Sequence, residues 1–166
     1  MGTRWGTQRA PLLDPATDQL PTASLAEVMA FYRRIAGSEA MPRRADLSPG
    51  DLPRAALPFV FLAETPDGTV DSLQYRLVGT GLTEKMGRDT TGMRLCDAYL
   101  GPDWAQLRPQ YQYVLTAGRP LLARADFIGT DDRVYHYARL LMPLSDDGVA
   151  VSYCLGYVEF AEGPAD

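Results

Sequence analysis

The chain has 166 residues, of which 46% are hydrophobic, and this is typical of one globular domain rather than a disordered protein. Its net charge of −5 would repel a phosphate backbone, so nucleic acid is not an expected partner. The sequence contains no run of about 18 apolar residues, the length of a membrane-spanning helix, so no membrane partner is expected either.

The first 23 residues contain three prolines and no sustained periodicity, which predicts a flexible leader. A single domain is predicted for residues 24 to 163, beginning with a helix at residues 24 to 37. Ser24 and Glu27 have the spacing of a capping box, and Gly37 predicts the end of this helix.

One face of the predicted helix is apolar, the pattern of a helix that buries a stripe of side chains. The stripe supplies our candidate dimer-interface residues, which are Leu25, Val28, Met29, Tyr32 and Ile35. The pattern is compatible with two partners, the sheet of the same domain or a second copy of the chain.

Two strands follow, at residues 57 to 64 and around residues 73 to 78, joined by a Pro-Asp-Gly turn. A short helix over residues 82 to 86 and a loop bounded by glycines at residues 87 to 92 come next. We call the second strand, the short helix and this loop the cup. Such a unit can enclose a small ligand or only its own side chains.

A short helical piece is predicted at residues 95 to 100, and a longer helix at residues 102 to 117. Pro109 lies inside the longer helix and predicts a kink or a break near Arg108. Three antiparallel strands joined by short turns close the chain, at residues 121 to 128, 133 to 144 and 149 to 160.

The last two strands are apolar on both faces, so the sheet needs cover on both sides. The element order predicts an α+β domain with a five-stranded antiparallel sheet. Short helices and one longer helix cover one face, and the amphipathic N-terminal helix is the natural cover for the other.

This order of elements resembles that of a PAS domain. The chain is more narrowly similar to a PAS-like family of small single-domain bacterial proteins, mostly alphaproteobacterial. The matching stretches are MPRRAD at residues 41 to 46, YRLVGT at 75 to 80, GRDTTG at 87 to 92 and RLLMPL at 139 to 144. The resemblance covers roughly residues 24 to 160. It implies a sensory or interaction module in signalling, with an N-terminal helix that often mediates dimers.

The sequence does not favour an enzyme. His136 is the only histidine, no nucleophile motif accompanies it, and we expect no catalytic residue. One histidine and two isolated cysteines, Cys96 and Cys154, also predict no metal site, and the cysteines favour a cytoplasmic protein with reduced thiols.

No cofactor is predicted. The cysteine of flavin-binding photosensors of this fold is missing after Arg88, and the long helix lacks the histidine of haem-binding relatives. Flavin remains open, since it can bind without a cysteine.

A small organic ligand in the cup is the alternative that we keep. Pockets for such ligands are mostly apolar with a few convergent polar groups. The candidate ligand-binding residues are Tyr75, Tyr111, Phe127, Tyr137 and Arg139. Arg139 lies on an apolar strand face, where an unpaired charge is very costly. Its partner is therefore a ligand carboxylate or, as we favour here, an internal acid such as Asp89 or Asp126.

The leading hypothesis from sequence is thus a non-enzymatic sensory or regulatory module that acts by dimerisation or by binding another signalling protein. A small organic acid or aromatic ligand between the sheet and the middle helices is the second hypothesis, and an enzyme is the third.

Overall fold

A computed structural model of the chain describes residues 4 to 99, 101 to 129 and 131 to 163. Three parts of the sequence predictions therefore lie outside the described residues. They are residues 1 to 3 of the leader, residue 100 at the end of the short helical piece, and residue 130 in a turn.

The centre of the fold is one antiparallel sheet. Its strands are β1 (Arg4–Gln8), β2 (Leu12–Leu13), β3 (Val60–Glu64), β4 (Gln74–Val78), β5 (Leu121–Ile128), β6 (Val134–Ser145) and β7 (Val151–Phe160). The order across the sheet is β1-β5-β6-β7-β3-β4, with β2 also paired to β5. All five predicted strands are present, which confirms the α+β fold with an antiparallel sheet.

The N-terminal segment differs from its prediction. It was expected to be a flexible leader, but residues 4 to 8 and 12 to 13 are strands that lie end to end along the outer edge of β5. Local periodicity does not reveal them because they are short edge strands, and their only strand partner is more than 100 positions away. Over the described ranges the sheet therefore has seven strands rather than the predicted five.

Four α-helices lie in the described part of the chain, besides several short 3-10 turns. They are α1 (Ala23–Ala36), α2 (Thr80–Met86), α3 (Leu95–Ala98) and α4 (Gly101–Ala117). The side chain of Thr22 caps α1 by accepting a hydrogen bond from the Leu25 amide, so the predicted cap at Ser24 is wrong by two positions. Gly37 ends α1 with a φ of 60°, as predicted.

The long helix α4 runs through Pro109 without a break. The predicted break near Arg108 is therefore wrong, and the alternative, a kink there, stays a prediction. A proline costs an interior helix one hydrogen bond and some strain, and packing on the sheet offsets this cost. Leu107, Tyr111 and Val114 of α4 are fully buried against the sheet.

The helices cover the two faces of the sheet. Helices α2, α3 and α4 pack on one face, which we call the inner face, and α1 packs on the opposite, outer face. The candidate dimer-interface residues Leu25, Val28, Met29 and Tyr32 are buried there inside one chain, and Ile35 is partly buried beside them. The prediction that this stripe forms a dimer interface is thus corrected. The stripe packs into the domain's own core on the outer face.

Candidate functional site

The cup is built from β4, α2 and the loop that follows. Gly87 ends α2 in the left-handed region at a φ of 76°, and Gly92 has a φ of 86°. These two glycines turn the loop back onto the free edge of β4. There the amide of Tyr75 donates to the carbonyl of Met93, and the amide of Gly92 donates to the carbonyl of Tyr75, both at 2.9 Å. The cup therefore closes one end of the inner face.

The inner face of β6 presents Tyr137 and Arg139 toward the cup, because alternate residues of a strand share a face. All five candidate ligand-binding residues lie on this side of the sheet. Tyr75, Tyr137 and Arg139 line one small cavity. Tyr111 of α4 packs over the guanidinium of Arg139, and Phe127 packs against Tyr137 rather than lining the cavity.

Arg139 is buried, with only 2% of its surface exposed. Its Nη2 donates to Oε1 of Gln110 at 2.6 Å and to Oε1 of Gln8 at 3.4 Å. The Gln110 amide nitrogen donates in turn to the same Gln8 oxygen at 3.1 Å. The Gln8 amide nitrogen donates to the hydroxyl of Tyr137, also at 3.1 Å. Two neutral amides thus hold one end of the guanidinium.

This network contains no negative charge. Among the described residues no carboxylate forms an ion pair with Arg139. Asp89 accepts hydrogen bonds from Thr91, and Asp126 pairs with His136, so the expected internal acid partner is wrong. Both carboxylates are held at the surface, where solvation and local hydrogen bonds favour them.

The hydrogen-bond donor at Nε of Arg139 is unsatisfied, and the positive charge of the guanidinium is only partly compensated. Its Nε has no hydrogen-bond partner among the described residues, and a guanidinium stays charged in any protein environment. The rings of Tyr137 and Tyr111 lie 5.7 and 6.0 Å from its central carbon and offer cation–π attraction. Such contacts are worth about 2 kcal/mol when desolvated, whereas desolvating a charge costs several kcal/mol.

The hydroxyls of Tyr75 and Tyr111 beside the site are neutral. Burial raises the pKa of Tyr75 and of Tyr111 well above the ordinary value, and the Tyr75 hydroxyl shares a hydrogen bond of 3.1 Å with that of Tyr99. The Tyr111 hydroxyl has no partner among the described residues. These groups can donate hydrogen bonds to an anion but cannot supply a counter-charge to Arg139.

The cavity beside Arg139 is small and mostly apolar. Its walls are Phe61, Tyr75, Val78, Leu82, Met86, Tyr99, Tyr137, Arg139, Val158 and Phe160. Its volume is about 20 Å³, enough for about one water molecule. The side chains of the cup therefore fill most of the space between the sheet and α2.

Sequence reasoning missed three residues of this site, namely Gln8, Tyr99 and Gln110. For Gln110 a signal was present: it lies three residues after Leu107 and four before Val114, inside the buried stripe of α4. A polar residue in such a stripe points to a buried polar network. Gln8 gave no comparable signal, because its segment lacks periodicity.

The only histidine lies elsewhere, on the outer face. His136 pairs through Nδ1 with Asp126, and both side chains are partly exposed. No described hydroxyl or thiol bonds to His136, so the pair has the features of a hydrogen-bonded surface pair. Cys96 and Cys154 are unbridged, and the described residues contain no group of three or more potential metal ligands. No helix in the described ranges is both long and apolar enough to cross a membrane.

A family model of the PAS domain matches residues 20 to 159 of the chain. No curated protein matches its sequence. Among solved structures, an RNA-binding light-oxygen-voltage receptor is similar at 15% identity and a TM-score of 0.50, covering 93% of this chain and 39% of that one.

Two further structures are similar at lower TM-scores. A LOV protein of Rhodobacter sphaeroides has 19% identity and a TM-score of 0.49, covering 66% of this chain and 64% of that one. A fungal LOV domain photoreceptor has 16% identity and a TM-score of 0.49, covering 89% of this chain and all of that one. At such identities the likeness concerns the fold alone.

Proposed function

Because the chain belongs to the PAS domain family, we propose that it is a non-enzymatic sensory module that binds a small organic anion at Arg139. The observation that carries this proposal is the charge of Arg139, which is buried without a carboxylate partner among the described residues and with Nε unsatisfied. A ligand carboxylate provides both the missing charge and a second acceptor for the planar guanidinium.

The walls of the cavity suggest the rest of the ligand. Nine of its ten lining residues are apolar or aromatic, and three of these nine are tyrosines. An anion with an apolar or aromatic body matches such walls, as benzoate does. A polyanion would instead leave charges unpaired among apolar side chains.

Binding such a ligand requires the cup to open. Pockets for organic ligands are about 300–1,000 Å³, whereas this cavity has about 20 Å³. Met86 is the side chain best placed to move, because it lines the cavity, is only partly buried and ends the short helix α2. Methionine is also unbranched and adapts readily to new neighbours.

Calorimetry with a graded series of ligands tests the proposal. Formate, acetate and benzoate differ in size, and benzamide is a neutral match for benzoate. We expect benzoate to bind and benzamide not to bind. Arg139→Met should weaken benzoate binding roughly 10- to 100-fold, since a hydrogen bond to a charged group contributes about 1.5–3 kcal/mol. Met86→Ala should speed benzoate association by widening the entrance.

The matched control is Arg124→Met, which removes an exposed arginine from the neighbouring strand β5 and should leave benzoate affinity unchanged. Equal binding of benzoate to the wild type and to Arg139→Met would refute the proposal. So would the absence of binding by all three anions at concentrations of about 1 mM.

The output of such a module is contact with another protein, either a second copy of the chain or a signalling partner. We place the module in the cytoplasm, which the two unbridged cysteines favour. Since the stripe on α1 is buried, dimerisation would use a different surface. Native mass spectrometry with and without benzoate tests this step, because a ligand-dependent change in assembly is expected if the output is self-association.

A further inference from the structure

The N-terminal strand reaches directly into the proposed anion site. Gln8 is the last residue of β1, yet its side chain contacts residues of two other elements, Arg139 and Tyr137 of β6 and Gln110 of α4. Its carbonyl oxygen accepts from both the guanidinium and the Gln110 amide. An amide carbonyl is a neutral acceptor, and a carboxylate forms stronger hydrogen bonds with the same donors.

The backbone pairing of β1 with the sheet is interrupted. Strand β1 is an edge strand, and its register with β5 is interrupted by an irregularity between residues 5 and 8. Just beyond it, the Arg9 amide donates to the carbonyl of Arg124 at 2.9 Å. Edge strands with interrupted ladders open locally at low cost, so one side-chain anchor in the core changes their protection measurably.

Space for a displaced Gln8 exists next to the network. Gln8 and Gln110 both line an open groove of about 380 Å³ between the N-terminal segment and α4, together with Arg9, Gln106 and Tyr113. A glutamine that leaves Arg139 on this side meets water. Its amide then keeps hydrogen-bond partners, so release carries no large desolvation cost.

We propose that Gln8 is a latch. Without ligand, the Gln8 side chain accepts a hydrogen bond from the guanidinium of Arg139. An organic anion that binds Arg139 displaces Gln8, and strand β1 then loosens. The proposal rests on the anion site described above and adds the route by which binding is reported, from the buried arginine to the N-terminal edge of the sheet.

Hydrogen exchange of the peptide covering residues 4 to 13, followed by mass spectrometry, tests the latch in the full chain. Gln8→Ala and Arg139→Met should each speed exchange of this peptide roughly tenfold. The double variant should exchange no faster than Gln8→Ala, because Gln8→Ala already removes the contact that Arg139→Met removes. Thr7→Ala, on the same strand but exposed, is the control and should leave the exchange unchanged.

The second arm adds benzoate at a concentration that calorimetry shows to be saturating. Benzoate should speed exchange of residues 4 to 13 in the wild type, to the level of Gln8→Ala, and should have no such effect in Gln8→Ala. Benzoate binding that depends on Arg139, together with unchanged hydrogen exchange of residues 4 to 13, would refute the latch but not the anion site. If calorimetry shows no benzoate binding that depends on Arg139, both the anion site and the latch are refuted. An effect of Gln8→Ala no larger than that of Thr7→Ala would also overturn the latch.

Discussion

Replacing Arg139 with methionine separates a ligand site from a purely structural network. Methionine keeps the unbranched apolar stem of arginine and removes the charge. The change relieves a desolvation penalty of several kcal/mol for a buried ion. It also removes two hydrogen bonds from the charged guanidinium. The short one to Gln110 is worth about 1.5–3 kcal/mol and the long one to Gln8 is weaker. The attraction to two tyrosine rings, worth about 2 kcal/mol, is lost as well.

These opposing contributions are similar in size, and no described carboxylate is left unpaired by the change. Replacing a whole buried ion pair or triad with apolar residues of similar volume is often neutral or stabilising by about 1–4 kcal/mol, and replacing Arg139 likewise leaves no described buried charge behind. We therefore expect Arg139→Met to leave the free energy of unfolding unchanged or to raise it by up to about 2 kcal/mol.

Urea denaturation followed by circular dichroism measures this difference. Leu141→Ala, on the same strand and fully buried, shows what loss of packing costs at this place in the core, about 2–5 kcal/mol. Arg108→Met removes a surface pair with Asp71 in which both nitrogen–oxygen distances are 3.0 Å, and it should cost at most about 1 kcal/mol. A loss of more than about 2 kcal/mol in Arg139→Met would refute the reasoning, because the arginine would then be a structural residue.

Three further predictions concern the core. Tyr32→Phe should lower the free energy of unfolding by about 1 kcal/mol, since the buried hydroxyl donates to the Pro143 carbonyl at 2.8 Å; urea denaturation measures this. Gly156→Ala should cost about 1–3 kcal/mol in the same assay, because a Cβ there would lie 2.0 Å from the Phe61 ring. In the folded chain iodoacetamide should modify Cys96 but not Cys154, because Cys154 is buried and burial raises the pKa of its thiol to about 12. Mass spectrometry measures the modification.

Each of these predictions has a clear contrary result. An unchanged unfolding midpoint in Tyr32→Phe would mean that the hydroxyl bond contributes nothing net. A fully stable Gly156→Ala would mean that the Phe61 ring shifts freely. Modification of both thiols in the folded chain, at the rate seen in urea, would mean that Cys154 is transiently exposed.

The elements of the fold were largely predictable because their signals are local. Alternation of apolar and polar residues predicts β4, apolar runs bounded by turns predict β6 and β7, and the apolar stripe on α1 predicts its burial. The partner of that stripe was not predictable, since an apolar face packs equally well on its own sheet or on a second chain. The strand at residues 4 to 8 was missed for a related reason: its pairing with β5 depends on residues more than 100 positions away.

The candidate site was predictable in part. A charged residue in an apolar strand singled out Arg139, and alternation placed Tyr137 on the same face. The identity of the partners was not predictable, because a buried arginine demands an acceptor but not a particular one. The structure supplies two neutral glutamines in place of the expected aspartate, and this difference decides the chemistry of the site.

Replacing Gln110 with glutamate tests why a neutral partner matters. The two side chains have the same shape, so Gln110→Glu places a carboxylate oxygen near the position of Oε1, which lies 2.6 Å from Nη2 of Arg139. The guanidinium should hold the pKa of this carboxyl below its ordinary range, and the pair should raise the free energy of unfolding by about 1–2 kcal/mol. A carboxylate cannot replace the Gln110 amide that donates to Gln8 Oε1 at 3.1 Å, so the Gln8 amide turns to donate to the new carboxylate. An internal carboxylate also neutralises the positive charge that benzoate needs, so calorimetry should show benzoate affinity reduced at least tenfold.

The control is Gln106→Glu, which adds the same charge to the exposed groove beside the site and should leave benzoate affinity nearly unchanged. Undiminished binding of benzoate to Gln110→Glu would mean that the anion does not bind at Arg139. Loss of binding together with a more stable fold would mean that the neutral amide keeps the arginine available for its ligand at a cost in stability.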